Sequence, residues 1–72
     1  MLKVFVNDYF LGKARDLADA DALAVGYAMW LVSAGRFDSG VLPFHYSEHG
    51  TVVVSGDIAC EDLACADSVN GA

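Results

Sequence analysis

The segment between Asp16 and Gly35 constrains the fold most. From Ala22 to Gly35, fourteen consecutive residues carry no charge, and the spacing predicts a helix from Leu17 or Ala20 to Ala34. Asp16 or Asp19 can cap its start by accepting from free backbone N–H groups. Asp21 then falls in the first turn, where the helix dipole favours a negative charge. Gly35 suits the left-handed position just past the end, with Arg36 beyond it. Leu23, Tyr27, Trp30, Leu31 and Ala34 recur on one face at helical spacing, while Val25, Met29 and Val32 fall nearly opposite. A helix apolar almost all round needs cover on its back, from a second element or from a partner. Trp30 and Leu23 are expected against a sheet, with Val4 or Val6 and Val52 or Val54 beside them.

The remaining segments read mostly as strands. Leu2 to Asn7 is rich in Val and Phe and ends on the turn signal Asn7-Asp8. Tyr9-Phe10-Leu11 is a candidate short strand pairing back through that turn, cut short by Gly12. Val41 to Tyr46 and Thr51 to Ser55 form a hairpin around Ser47-Glu48-His49-Gly50, with a left-handed Gly50. Pro43 lacks a ladder donor and places its strand at a sheet edge. Leu42, Phe44 and Tyr46 share one face by the two-residue period. Gly56 separates this hairpin from a shorter helix over Ile58–Ala66, capped by Asp57. The expected fold is a single α+β domain over residues 1–72. It has two layers: a mainly antiparallel three-stranded sheet, with Tyr9–Leu11 as a short candidate fourth strand, and one long and one short helix.

Composition excludes several function classes. A 72-residue chain suits one domain with one core and leaves little room for a catalytic cleft. Ten acidic residues against four basic ones give a net charge of −6, which argues against direct nucleic-acid or anionic-membrane binding. The longest uncharged run is shorter than the roughly 20 residues of a membrane span. The N-terminus reads as a strand rather than an export signal, so a cytoplasmic location is expected. Cys60 and Cys65 lie about 140° apart on a helix and should not pair with each other there. His45-x3-His49 with these cysteines supplies zinc-ligand types, but in an order and spacing that zinc fingers do not use. A cysteine nucleophile would need nearby positive charge, and the second half of the chain has no Lys or Arg. No phosphate-cradling glycine loop is present. The expectation is a non-enzyme with no metal and no cofactor.

What remains is a binding surface, and the charge is segregated. Lys3, Lys13, Arg15 and Arg36 balance Asp8, Asp16, Asp19 and Asp21 in the first half, so the second half carries the whole −6. Its acidic residues are Asp38, Glu48, Asp57, Glu61, Asp62 and Asp67, and these are the candidate partner-binding residues. Asp57 and Glu61 lie about 6 Å apart along a helix axis. Carboxylates at such intervals can occupy Arg and Lys sites that grip phosphates. The alternative is an ordinary solvated acidic face.

One tiny domain, acidic in one half, with this element order resembles the small phage- and mobile-element-encoded anti-CRISPR proteins of type I, most nearly type I-C. The run Asp16-Leu17-Ala18-Asp19-Ala20-Asp21-Ala22-Leu23-Ala24, the strand Val41 to Tyr46 and the acidic segment Asp57 to Asp67 carry the resemblance. It implies inhibition of the Cascade surveillance complex in the cytoplasm of a bacterial host, by occupying the basic groove that reads duplex DNA. It transfers no individual residue. The alternative is a non-enzymatic interaction or antitoxin-like protein, homodimeric through Val25, Met29 and Val32. The oligomeric state stays open, with a monomer slightly favoured. Salt separates the two readings: charge mimicry weakens steeply with salt and apolar docking does not.

Overall fold

A computed structural model of the chain describes residues 1–63. Five elements follow in order: β1 (Leu2–Val6), β2 (Tyr9–Ala14), α1 (Leu17–Ser33), β3 (Val41–Glu48) and β4 (Thr51–Ala59). Residues 60–63 are helical. The α+β class expected from the sequence is present, and the candidate fourth strand is a full member of the sheet, six residues long, in the order β2-β1-β3-β4. All three pairings are antiparallel.

Both hairpins close through two residues with positive φ, Asn7-Asp8 (51° and 66°) and His49-Gly50 (54° and 79°). This is the turn whose twist matches that of the flanking strands. The β3–β4 loop is therefore two residues, and Ser47 and Glu48 belong to β3, with Glu48 opposite Thr51. Gly12 does not end β2. Val4 faces Gly12 and Phe5 faces Phe10, so Leu11 is the extra residue of a bulge. Gly12 takes φ 150° there, which only glycine adopts readily.

Pro43 lies in an interior strand, not at an edge, and the register explains why it is tolerated. The Asn7 N–H donates to the Pro43 carbonyl at 2.7 Å, so the peptide groups of Pro43 face the β1 side. There β1 has already ended at Val6, opposite Phe44. The missing N–H thus falls past the end of the neighbouring ladder, and no β3–β4 bond is lost.

Helix α1 begins at Leu17, the earlier of the two expected starts. Asp16 caps it, accepting from the Asp19 N–H at 2.9 Å, and Asp19 accepts from the Arg15 N–H at 3.1 Å. The end is a Schellman turn: Arg36 N–H donates to Leu31 O and Gly35 N–H to Val32 O, with Gly35 at φ 73°. The packing face differs from the expectation. Trp30 is 55% exposed and Leu23 36%. The stripe against the sheet is Ala20, Ala24 and Ala28, each no more than 1% exposed. These residues recur every four positions and so share one face. With nothing beyond Cβ, they let α1 lie close on β1 and β2, and Tyr27, Leu31 and Val32 pack alongside. The core under the stripe is Leu2, Val4, Val6, Ala14, Leu42 and Tyr46, closed by Phe37 from the α1–β3 loop. Val4 and Val6 are thus core residues as expected. Val54 is half-buried and Val52 exposed. The Tyr46 hydroxyl donates to Asp21, tying β3 to α1.

Gly56 does not break β4, which continues through Asp57 to Ala59. A Cβ at Gly56 would lie 3.1 Å from the Phe44 ring, so the glycine makes room for that ring instead. Asp57 consequently sits in a strand and caps no helix. Helical structure starts at residue 60, where the Cys60 N–H donates to Gly40 O at 3.0 Å.

Candidate partner-binding site

The register brings several of the expected acidic residues to one end of the sheet. Asp57 lies opposite Pro43 on β4. The Cys60–Gly40 bond seats Glu61 and Asp62 beside the start of β3, and Asp38 stands two residues before Gly40. The Asn7–Pro43 bond adds Asp8 from the β1–β2 turn. Asp8, Asp38, Asp57, Glu61 and Asp62 are all exposed. All five are thus carried by segments meeting at Gly40–Pro43. Arg36 is the one cation whose position in the chain lies near them among the described residues.

Glu48 is not part of this group. It lies at the far end of β3 from Pro43, five residues or about 17 Å along the strand. Its Oε2 is 3.2 Å from the α-amino group of Met1. Lys3 and Lys13 face each other nearby across β1 and β2, with Arg15 just beyond. Lys3, Lys13 and Arg15 thus stand toward the Glu48 end, where Asp16 and Asp19 also lie, while Asp8, Asp38, Asp57, Glu61 and Asp62 stand toward the Pro43 end with Arg36. Asp67, the sixth expected residue, lies outside the described residues, as does Cys65.

Among the described residues, those weighed for other chemistry do not converge. His45 stacks on Phe5 with ring centroids 4.6 Å apart on the face of the sheet away from α1. His49 is exposed in the β3–β4 turn. Among the described residues no three His, Cys, Asp or Glu side chains are grouped so as to hold a metal ion. The Cys60 thiol points at the Phe37 carbonyl, 4.0 Å away. The Tyr46 phenol is pushed well above its ordinary value by burial and then by its bond to Asp21. That bond is structural, since it joins α1 to the buried Tyr46 of the sheet.

Two groups of exposed residues were not legible as sites. Asp8 reads in the sequence as a turn residue, and only the strand register shows that its turn meets Pro43. Tyr9, Tyr27, Trp30 and Arg36 line an open groove of about 500 Å³. The sequence places Trp30 against the sheet with Leu23, because large apolar residues at helical spacing usually belong to the core.

No family model, curated protein or solved structure matches the chain. Among the described residues, no helix is long and apolar enough to cross a membrane.

Proposed function

We propose that the protein is a non-catalytic inhibitor that docks its acidic end into a basic groove of a DNA-reading protein. The resemblance to anti-CRISPR proteins names the Cascade surveillance complex as the target. One observation carries the reading: the three segments that bear Asp8, Asp38, and Asp57 with Glu61 and Asp62 meet at Gly40–Pro43. Spaced carboxylates on a small rigid end can take the places of duplex phosphates on Arg and Lys side chains. The segregated charge also steers the acidic end toward a basic surface during encounter.

The test is competition between the protein and duplex DNA carrying the protospacer-adjacent motif for purified type I-C Cascade. The protein should displace the duplex, and its affinity should fall as salt rises from about 0.05 to 0.5 M, where screening lengths shrink severalfold. The triple variant Asp57→Lys/Glu61→Lys/Asp62→Lys should remain folded, because all three side chains are exposed and none caps a helix. It should lose binding, since attraction to Arg and Lys becomes repulsion. Simultaneous binding of protein and duplex would sink the mimicry.

A second reading is favoured by the outer face of α1. Val25 is 41% and Met29 46% exposed, while Val32 is half-buried and Leu63 shares a small depression with Met29, Val32 and Ser33. An apolar surface of this kind supports docking of a partner or a second copy. Light scattering over a concentration series separates these occupants, and binding through this face should persist at high salt.

A further inference from the structure

Tyr9, Tyr27 and Trp30 form a stacked ladder at the surface. The centroids of Tyr9 and Tyr27 are 5.6 Å apart with planes 14° from parallel, and those of Tyr27 and Trp30 are 6.2 Å apart at 18°. The ladder is exposed at both outer members, Tyr9 at 60% and Trp30 at 55%. Local structure explains the placement. The Asn7-Asp8 turn sets Tyr9 opposite Val6, hence on the α1 side of the sheet. Tyr27 and Trp30 are neighbours three residues apart on the helix. The Gly35 reversal then returns the chain so that the Arg36 guanidinium lies 6.0 Å from the Trp30 ring centroid. These are the residue types that dominate binding energy when they sit at the centre of an interface. The core uses neither Tyr9 nor Trp30.

The chemistry of the occupant is indicated by what already stands there. Aromatic faces attract cations, and Arg36 rests at the outer limit of that interaction. Arg36 thus holds the face of Trp30 only at that limit, and a planar cation that displaces it can stack there. Asp8 adjoins Tyr9 and Asp38 follows Arg36 by two residues, so the ladder borders the acidic end and shares its negative field. We propose that Tyr9, Tyr27 and Trp30 are a shelf that receives an arginine side chain of a basic partner protein, its guanidinium stacking where Arg36 now stands. The inference rests on the acidic-end reading and adds what the partner must bring. Arginine stacks and sheds water more readily than lysine, whose ammonium is a compact, strongly hydrated charge. The shelf thus selects arginine-bearing grooves, whereas the carboxylates accept either cation.

Hexa-arginine and hexa-lysine peptides, titrated into the full chain, test this. Trp30 is the only tryptophan, so its emission reports on the shelf directly, and calorimetry gives affinities for variants without it. Hexa-arginine should alter Trp30 emission and bind several-fold to about ten-fold tighter than hexa-lysine, as one added cation–π contact implies. Arg36→Ala should tighten hexa-arginine binding relative to hexa-lysine by freeing the shelf. Trp30→Phe should keep the preference and Trp30→Ser should abolish it, with circular dichroism confirming the fold of each. Equal, salt-sensitive affinity for both peptides would overturn the shelf and leave the acidic-end reading standing. A triple Lys variant that binds hexa-arginine like wild type would remove the acidic end and leave the shelf. Binding of neither peptide would overturn both. A change in Trp30 emission with protein concentration alone, matched by dimer mass, would make the ladder a self-interface and overturn the proposal.

Discussion

The alanine stripe makes an exacting prediction, because it reverses the order of importance that hydrophobicity alone suggests. Ala24 is 1% exposed beneath α1, while Trp30 is 55% exposed. Ala24→Leu forces three further carbons between α1 and the sheet, into the core that Val4, Val6 and Tyr46 share with it. Overpacking of a filled core costs about 1–3 kcal/mol. Trp30→Ala leaves the core intact and removes mainly the stacking on Tyr27, about 0.5–1.5 kcal/mol. A domain of this size has roughly 4–11 kcal/mol of stability, and each kcal/mol shifts Tm by about 4–8 °C. Ala24→Leu should therefore lower Tm more than Trp30→Ala does, and Trp30→Ala should still unfold cooperatively. Thermal and urea unfolding followed by far-ultraviolet circular dichroism measures both without relying on the tryptophan. If Trp30→Ala proves the more damaging change, Trp30 is a packing residue and the stripe is not the helix–sheet contact.

Tyr46 and Gly56 supply two further tests. The Tyr46 phenol keeps its proton in the folded state at pH values where the unfolded chain has lost it, so stability is complete below the ordinary value of 10.0 and falls as pH rises above it. The loss should approach about 1.4 kcal/mol per pH unit, and Tyr46→Phe should remove this contribution from an alkaline unfolding series while costing about 1 kcal/mol at neutral pH. Gly56→Ala places a Cβ 3.1 Å from the Phe44 ring and should cost about 1 kcal/mol in urea unfolding. A gain in stability would show that the ring yields and that the glycine is not needed for room.

The elements legible in the sequence were those with local chemical signatures. Asp16 and Gly35 bound the helix because a carboxylate cap and a left-handed glycine act over one turn. Asn7-Asp8 and Gly50 mark the two hairpins for the same reason, although the second loop is two residues rather than the four of Ser47–Gly50, and the core face of Leu42, Phe44 and Tyr46 follows from the pleat. The errors arose where a residue's role depends on a distant segment. Gly12 reads as a strand end, yet a bulge absorbs it because β1 continues alongside. Pro43 reads as an edge residue, although its missing donor is harmless for a different reason, the early end of β1. Gly56 reads as a break, yet it serves the Phe44 ring across the ladder. The helix face could not be chosen from periodicity, since α1 is apolar almost all round. Size decides it: small residues approach the sheet and large ones flank it. The same dependence governs the candidate site. The charge asymmetry of the second half is visible in the sequence, but its grouping is not. Asp8 joins the acidic end only through the β1–β3 register, and Glu48 stands apart from it because β4 runs from the hairpin turn through Asp57, which puts Asp57 at the opposite end of the ladder.

That last displacement allows the acidic surface to be mapped rather than merely weakened. Glu48 and Asp57 carry the same charge and both belong to the sheet, so a partner that senses only net charge would respond equally to their reversal. Their separation of about 17 Å along β3 is roughly twice the Debye length of about 8 Å at physiological ionic strength. Exposed charges so far apart act on different parts of a partner. Glu48 is moreover partly offset by the Met1 amine 3.2 Å away, whereas Asp57 forms no ion pair among the described residues. A partner seated on the acidic end should therefore lose affinity by about ten-fold on Asp57→Lys, as expected when a contact of about 1.4 kcal/mol is removed. Glu48→Lys should change it less than about two-fold, within the small range of charges outside an interface. Both affinities are to be measured at one salt concentration near 0.15 M, with folding checked by circular dichroism. Equal losses from the two variants would mean that the contact runs the length of the sheet, and the division into a binding end and a non-binding end would be wrong.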